Sequence, residues 1–240
     1  MVTAVEVQGV TKDFRLSHER SLKERVVATV RGRRTTEEFR ALDDVDLTVA
    51  SGESVALLGF NGSGKSTLLK VVSGVMRPDR GRVRVRGRVA GLIEVGAGFH
   101  PDLTGRENVF MNGAILGMDE RQVTQRFDDI VAFSEIERFI DTEVKHYSSG
   151  MFLRLAFAVA VHSDPDVFLI DEILAVGDEP FQRKCLDRVR ALSGEGRTLV
   201  VVSHDLDMVA GLCTRGVLLE RGRLVADGPS HEVVRRMREG

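Results

Sequence analysis

The feature that most constrains this chain is a glycine-rich segment between two stretches of different hydrophobic period. Residues 54–58 form a short apolar run, which predicts a buried strand, and residues 66–74 continue with a helical period. The segment between them, residues 59–67, has the sequence Gly-Phe-Asn-Gly-Ser-Gly-Lys-Ser-Thr. Glycines at this spacing let the backbone turn tightly, so that successive N–H groups and a helix N-terminus face one anion. The segment therefore predicts a loop that holds nucleotide phosphates.

Each residue type in this phosphate loop (residues 59–67) has a predicted chemical role. Gly59, Gly62 and Gly64 shape the turn. Lys65 reaches the β- and γ-phosphates of ATP, and the Ser66 hydroxyl binds Mg²⁺. The predicted nucleotide contacts of the loop are Gly59, Phe60, Asn61, Gly62, Ser63, Gly64, Lys65, Ser66 and Thr67.

Polar side chains also follow two later apolar strands. Asp171 and Glu172 end the run of residues 167–170, and His204 follows the run of residues 199–202. Alone, an acidic pair after a strand is typical of a turn or a helix cap, and a single histidine is typical of a structural side chain. Beside a phosphate loop we expect Asp171 to hold Mg²⁺ through water and Glu172 to act as general base. His204 would reach the γ-phosphate, which makes Lys65, Glu172 and His204 the predicted catalytic residues.

Composition limits the partners. The net charge of −2 over 240 residues provides no overall field that would attract nucleic acid. Arg82, Arg84 and Arg86 alternate with valines, which favours a solvated sheet face over a phosphate-binding stripe. A membrane-spanning helix needs about 20 apolar residues, and the run of residues 155–161 is far shorter. We therefore expect any membrane to be spanned by another chain.

The rest of the chain alternates between strand and helix patterns. Strands are predicted at residues 5–10 and 45–49, on either side of a basic stretch, residues 12–40, that we interpret as an insertion. Thr104, with Glu107 three residues later, predicts a capping box that opens a helical region. Further helices and strands then alternate to the last residues, as in an α/β fold.

The segment from residue 147 to 151 resembles a known signature. Its sequence is Tyr-Ser-Ser-Gly-Met, directly before an apolar helix, and alone it predicts only a capped helix start. Together with the phosphate loop, the acidic pair and the histidine, it resembles the Leu-Ser-Gly-Gly-Gln signature of the ATP-binding-cassette (ABC) family. Ser148 and Gly150 match that signature, whereas Tyr147, Ser149 and Met151 differ. The resemblance covers nearly the whole chain.

The resemblance implies the fold and its parts. The implied fold class is α/β, a P-loop NTPase of the ABC nucleotide-binding type with a RecA-like α/β core, an antiparallel β subdomain and a helical lobe. Residues 1–240 would form a single ABC ATPase domain. Its core would comprise residues 1–100 and 160–228, with the basic insertion at 17–40, the helical signature lobe at 102–160 and a C-terminal helix at 229–240.

The resemblance also implies the mechanism, which is ATP hydrolysis to ADP and phosphate with Mg²⁺. Two cassettes would form a head-to-tail homodimer, and Ser148, Ser149 and Gly150 would donate to the γ-phosphate held by the other subunit. Phe14 lies where the family stacks an aromatic side chain on adenine, although a core phenylalanine is an equally good interpretation. Glu94 stands at or within one residue of the family's metal-sensing glutamine, and its carboxylate can also bind metal, so the predicted metal ligands are Ser66, Asp171 and Glu94. Asp178 would touch the partner subunit.

Several segments resemble one subgroup, the ATPase subunits of bacterial polysaccharide exporters that move O-antigen, teichoic acid or cell-wall galactan. They are residues 96–108, 147–158, 171–178 and 181–185. This likeness implies two copies of a separate polytopic permease, a lipid-linked polysaccharide handled by the complex, and a peripheral place on the cytoplasmic face of the cell (inner) membrane. The arginine-rich composition leans towards a galactan.

Other functions remain as alternatives at this stage. The chain would be the ATPase of an importer or drug exporter if its permease were of another type. Soluble ABC proteins of DNA repair or translation typically join two cassettes or carry long coiled coils, and neither pattern is visible. A nucleotide switch without turnover fits poorly with the presence of both Glu172 and His204. The basic insertion, with Arg31, Arg33 and Arg34, is either a contact for lipid headgroups or a solvated loop.

Overall fold

The computed structural model describes residues 2–17, 36–91, 98–171 and 177–239. Its strands are β1 (Thr3–Ser17), β2 (Thr36–Ala50), β3 (Ser54–Leu58), β4 (Arg80–Val85), β5 (Val89–Gly91), β6 (Val167–Asp171), β7 (Thr198–Val202), β8 (Arg215–Glu220) and β9 (Arg223–Pro229). Its helices are α1 (Lys65–Val72), α2 (Gly105–Ile115), α3 (Glu120–Ser134), α4 (Ser149–His162), α5 (Glu179–Gly194), α6 (Leu206–Leu212) and α7 (Ser230–Glu239). Single 3₁₀ turns span Glu137–Phe139 and Val144–His146.

The strands form two sheets. Three strands pair antiparallel in the order β2-β1-β4, and six strands pair in the order β5-β6-β7-β3-β8-β9. Within the larger sheet all neighbours are parallel except β8 and β9, which are antiparallel. The parallel sheet with helices is the α/β architecture that the sequence predicts.

The larger sheet is buried on both faces, as parallel sheets usually are. Successive side chains of β3 point to opposite faces, so Ala56 and Leu58 join one apolar cluster and Val55 and Leu57 another. The first cluster packs against α4, α5, α6 and α7. The second packs against α1 and the inner faces of β1 and β2. The larger sheet therefore lies between a layer of helices and the smaller sheet with α1.

The first two strands are longer than the sequence predicts. β1 continues to Ser17 and β2 begins at Thr36, so the strands predicted at residues 5–10 and 45–49 are too short, and residues 36–40 of the predicted insertion at residues 17–40 are strand. The part of the insertion at residues 18–35 lies outside the described residues.

Bulges and charge pairs across the strands explain why the sequence pattern predicted β1 and β2 too short. Pairing between β1 and β2 shifts register between Val7 and Val10 and again between Val10 and Asp13, which breaks the two-residue period of a regular strand. Beyond the bulges, opposite charges face each other across the ribbon, since Arg40 Nε lies 2.8 Å from Asp13 Oδ1. An alternating charged sequence of this kind resembles a loop until its partner strand is known.

Three helices, α2, α3 and α4, form a helical lobe with its own apolar cluster. The predicted capping box at its start is confirmed, because the Glu107 backbone N–H donates to Thr104 Oγ1 at 3.2 Å and the Thr104 N–H donates to Glu107 Oε2 at 2.8 Å. Asp119 and Gln122 form a second capping box at the start of α3. No helix in the described part of the chain combines the length and apolarity needed to cross a bilayer.

The capping box provides a stability prediction. Thr104→Ala removes one side-chain acceptor at the start of α2 and should lower the free energy of unfolding by about 1 kcal/mol. Thr124→Ala is the matched control, because Thr124 lies inside α3 and its hydroxyl donates to the Glu120 carbonyl of its own helix. Alanine there should be neutral or slightly stabilising. Urea unfolding at constant m-value measures both, and equal losses would contradict the assignment of the cap.

Candidate functional site

The phosphate loop connects β3 to α1 through three glycines with left-handed backbone angles. The φ angles are +146° at Gly59, +79° at Gly62 and +109° at Gly64. A Cβ atom at Gly59 would collide with the carbonyl oxygen of Leu219, and one at Gly64 would lie 2.5 Å from the carbonyl oxygen of Ala41. Glycine is therefore required at both positions by conformation and by space.

Backbone contacts fix the shape of this loop. The Ser63 N–H donates to the Phe60 carbonyl at 3.1 Å, and the Gly222 N–H, from the turn between β8 and β9, donates to the Ser63 carbonyl at 2.9 Å. The Ser63 hydroxyl is buried and has no hydrogen-bond partner among the described residues. A buried, unsatisfied hydroxyl in a glycine loop is consistent with a site that accepts a polar ligand.

Lys65 lies inside the loop rather than in solvent. The residue is only 7% exposed, and its Nζ donates to the carbonyls of Gly59 at 2.7 Å and Phe60 at 3.1 Å. Burying an ammonium group is costly unless it is hydrogen-bonded. The loop thus holds a positive charge beside its own backbone, in the place where the sequence predicts a group that contacts phosphate.

The N-terminus of α1 reinforces this positive character. Gly64 occupies the N-cap position without a side-chain cap, and no acidic residue lies in the first turn. The N–H groups of a first helical turn have no acceptor one turn earlier, and the helix dipole is positive there. Ser66 is exposed on this turn and Thr67 is half-buried. Among the predicted loop contacts, Phe60, Asn61 and Gly62 are exposed.

The strand order brings the other predicted groups to the same edge of the sheet. β7 lies between β3 and β6, and all three run parallel, so their carboxyl ends meet at one edge. Asp171, the last residue of β6, pairs with Val202, the last residue of β7, and His204 follows two residues later and is exposed. Open α/β sheets bind ligands at this edge. Glu172 and Glu94, the other predicted acidic groups, lie outside the described residues.

The donor set available for a metal is small. Within the residues that the structure describes, no group of three or more His, Cys, Asp or Glu side chains is close enough to hold a metal ion. The Ser66 hydroxyl and the Asp171 carboxylate offer hard oxygen atoms, which suit Mg²⁺. Because Mg²⁺ commonly binds through one or two protein oxygens, substrate phosphates and water, these residues fit a metal that arrives with a nucleotide.

The signature turn (residues 148–150) lies in the helical lobe, apart from the phosphate loop. Ser148 is the N-cap of α4, and its Oγ accepts the Met151 N–H at 3.2 Å. Ser148 and Ser149 are exposed and Gly150 is half-buried. α4 packs against α2, α3 and α5. The signature turn therefore presents exposed hydroxyls and a helix N-terminus to its surroundings.

Tyr147, which departs from the family signature, anchors this turn. Its hydroxyl donates to the Phe139 carbonyl at 2.8 Å, and its backbone N–H donates to the Val144 carbonyl at 2.9 Å. Burial raises the pKa of Tyr147 to about 12, so the hydroxyl remains a donor at physiological pH. A Cβ atom at Gly105 would collide with this hydroxyl, so the residue that opens α2 must be small.

Phe14 lies near the end of the described part of β1. It is half-buried, it pairs with Phe39 of β2, and the Lys12 ammonium lies 5.7 Å from its ring centroid. Lys12 pairs with Leu42 of β2. The Leu42 side chain packs against Gly64 of the phosphate loop, since its Cδ2 would lie 3.0 Å from a Cβ atom at that glycine. This ribbon therefore extends from beside the phosphate loop. Phe14 is not part of the apolar core, and its contact with adenine stays a prediction.

Sequence reasoning missed one cluster of charged residues beside the signature helix. Arg154, on the second turn of α4, binds the carboxylates of Glu135 and Asp178. The only local signal is an arginine inside an otherwise apolar helix, and its partners lie 19 and 24 residues away along the chain.

Comparison with known proteins agrees with this geometry. The model of the ABC transporter family matches residues 42–175. The ABC transporter protein AbcA of Aeromonas salmonicida is 48% identical over 228 residues, which are 95% of this chain and 73% of that protein. The O-antigen export system ATP-binding protein RfbB of Klebsiella pneumoniae is 41% identical over 242 residues, which are 98% of this chain and 97% of that protein.

A solved structure supports the fold. An ATP-binding cassette in a dimeric post-hydrolysis state, bound to ADP and phosphate, superposes with a TM-score of 0.75 at 23% identity, covering 94% of this chain and 98% of that one. The likeness confirms the predicted α/β P-loop fold of the ABC type.

A comparison of Gly64 with Gly62 gives a prediction for the phosphate loop. Gly64→Ala should lower the free energy of unfolding by about 2 kcal/mol or more, because it adds a backbone collision to an unfavourable φ angle. Gly62→Ala shares the positive φ angle, but a Cβ atom there has nothing within 4 Å, so its cost should be smaller. Thermal unfolding of both variants measures the difference, and equal losses would contradict the described packing of the loop against Ala41.

Proposed function

We propose that this chain, which belongs to the ABC transporter family, is the ATP-hydrolysing subunit of an exporter that moves a lipid-linked polysaccharide across the cytoplasmic membrane. Family membership makes the chain an ABC-type ATPase that binds ATP. The observation that best supports export is 41% identity to an O-antigen export ATP-binding protein over nearly the full length of both chains. O-antigen, teichoic acid and cell-wall galactan are the candidate polymers.

The proposed nucleotide contacts begin at the phosphate loop. The helix N-terminus and the glycine-rich backbone would hold the phosphates, and Lys65 would contact the β- and γ-phosphate oxygens. Its acceptors in the described part of the chain include two backbone carbonyls of the loop. A triphosphate offers charged oxygens, which accept stronger hydrogen bonds than carbonyls do. Phe14 would stack on the base at the end of the β1–β2 ribbon.

Hydrolysis would take place at the carboxyl edge of β6 and β7. Mg²⁺, when bound with the nucleotide, neutralises phosphate charge as it develops. Ser66, Asp171 and Glu94 are the residues proposed to hold it. Glu172 would take the proton of the attacking water, and His204 would donate a hydrogen bond to the γ-phosphate.

The proposed site is shared by two protomers. The exposed Ser148 and Ser149 and the half-buried Gly150 lie in the helical lobe, on different elements from the phosphate loop. A head-to-tail homodimer would place the signature turn of one protomer over the phosphate loop of the other, so that the N-terminus of α4 faces the γ-phosphate. The solved cassette with the same fold is a dimer bound to ADP and phosphate.

The transport partner is proposed to be a separate polytopic permease in two copies. The chain would then lie on the cytoplasmic face of the inner membrane, held there by the permease. The basic residues of the insertion, Arg31, Arg33 and Arg34, lie outside the described residues. Their contact with lipid headgroups or with the lipid-diphosphate end of the polymer remains part of the proposal.

Two substitutions test the chemistry. Glu172→Gln should preserve ATP binding and lower the hydrolysis rate by about two orders of magnitude or more, because it removes the general base. Lys65→Met should weaken ATP binding itself, because it removes the charge inside the loop. Glu120→Gln, an exposed position in the first turn of α3, is the control and should leave the rate unchanged. Phosphate release and equilibrium ATP binding are the measurements, and an unaltered rate in Glu172→Gln would exclude its role as base.

Depletion in the native cell tests the transported substrate. Cells without the chain should display less surface polysaccharide and should accumulate lipid-linked polymer inside. The wild-type chain should restore export and Glu172→Gln should not, although both are expressed. Normal surface polysaccharide together with a defect in nutrient uptake or drug resistance would contradict export and favour another type of transporter.

A further inference from the structure

We propose that Arg154 is a positioning residue that locks the signature turn to the segment Gly177–Asp178, so that one protomer offers its signature turn to its partner's phosphate loop, and Asp178 to the partner subunit, as a single rigid unit. The inference rests on the proposed function, because it assumes an ATP site shared by two protomers. Arg154 is not proposed to touch the nucleotide.

Arg154 joins two carboxylates from different parts of the chain. Its Nη1 lies 2.7 Å from Glu135 Oε2, just after α3, and its Nη2 lies 2.5 Å from Asp178 Oδ1, just before α5. The guanidinium carbon lies 4.5 Å from the ring centroid of Phe181, which also packs edge-on against Phe157 of α4. The Arg154 side chain is only 18% exposed. A planar guanidinium held on three sides has a single orientation.

Glu135 has an unusual backbone conformation that favours this contact. It caps the C-terminus of α3 with φ at +59°, a left-handed conformation in which glycine is usual. Its second carboxylate oxygen, Oε1, accepts from Lys184 Nζ at 2.9 Å, and the same ammonium donates to the Phe133 carbonyl at 2.9 Å. The hydrogen bonds from Lys184 and Arg154 lower the pKa of Glu135, so its carboxylate stays ionised.

The Asp178 side chain contacts Arg154 instead of capping its own helix. It occupies the N-cap position of α5 with an extended backbone, yet its side chain makes no capping hydrogen bond. An aspartate at an N-cap normally accepts a backbone N–H of its own helix. Gly177 permits the close approach, because its φ is +77° and a Cβ atom there would lie 3.2 Å from Phe181 Cδ1 and 3.5 Å from Arg154 Nε. Both carboxylates thus adopt locally unfavourable arrangements in order to meet one guanidinium.

The position of Arg154 on α4 connects the cluster to the signature turn. Gly150 and Arg154 are four residues apart, so they share one face of the helix. A tilt or slide of α4 relative to α5 would break the ion pair with Asp178. A shift relative to α3 would break the one with Glu135. The two carboxylates are 47% and 61% exposed, and ion pairs with solvent-exposed partners contribute little to stability. The local cost at Glu135 and the missing cap at Asp178 therefore favour a role in alignment.

The first test is Arg154→Gln. Relative to wild type, kcat should fall about tenfold, the size of a typical coupling between residues in one network. The Hill coefficient for ATP should fall towards one, while the Kd for ADP on the isolated chain should change less than twofold, since the phosphate loop is untouched. In the Glu172→Gln background, ATP-dependent dimerisation should weaken by a similar factor.

The chain offers a matched control. Arg106 also combines a close carboxylate with an aromatic ring, since its Nε lies 2.7 Å from Asp141 Oδ1 and its guanidinium carbon lies 4.7 Å from the Phe127 ring centroid. It lies in the helical lobe but does not bind the segment Gly177–Asp178. Arg106→Gln should therefore leave kcat and the Hill coefficient unchanged, with thermal unfolding used to match the folded fractions.

A second variant separates the loss of the Arg154 contacts from a loss of folding. Arg154→Lys keeps the charge and most of the stem, but one ammonium cannot hold both carboxylates in the same geometry. It should fold normally and show the same direction of change. In a double-mutant cycle, Glu135→Gln should have little further effect once Arg154 is replaced. Wild-type kcat and Hill coefficient in both Arg154 variants would overturn the inference alone, whereas a wild-type chain without ATP hydrolysis would overturn the proposed function with it.

Discussion

The parallel pairing of β3, β7 and β6 determines where Lys65, Asp171 and His204 lie. Val201 of β7 pairs with Ala56 on one side and with Ile170 on the other, so a single register fixes the ends of three strands. A slip by one residue would turn each side chain to the opposite face. Because both faces of the sheet are buried, such a slip would also expose apolar side chains, and the hydrophobic core thereby fixes the positions of Asp171 and His204.

Local patterns in the sequence predict much of this arrangement. The phosphate loop, the capping box at Thr104 and the strands before Asp171 and His204 depend on neighbours within a few residues, and each appears where the pattern places it. The β1–β2 ribbon was predicted too short because bulges interrupt its period and its charges pair across strands. The cluster of Arg154, Glu135 and Asp178 could not be predicted, since it has no periodicity and joins residues about twenty positions apart.

The helical lobe is attached to the core in two ways. α4 is apolar around most of its surface, with Phe157 in the core cluster and Leu155 and Ala158 in the cluster of the lobe. A helix buried on two sides can still rotate or slide if all its contacts are apolar, because apolar contacts are not directional. The ion pairs of Arg154 with Glu135 and Asp178 supply directional contacts to this helix. Apolar packing thus holds α4 in place, and polar contacts determine its orientation.

The contact between Gly222 and Ser63 has a consequence for the order of folding. The phosphate loop is synthesised in the first third of the chain, yet its shape depends on a hydrogen bond from the turn between the last two strands of the sheet. The backbone carbonyls of Leu219 and Ala41 also lie against the loop, at Gly59 and Gly64. During synthesis this hydrogen bond cannot form until residue 222 has been made, so nucleotide binding to the completed loop stabilises the finished domain rather than an early part of the chain.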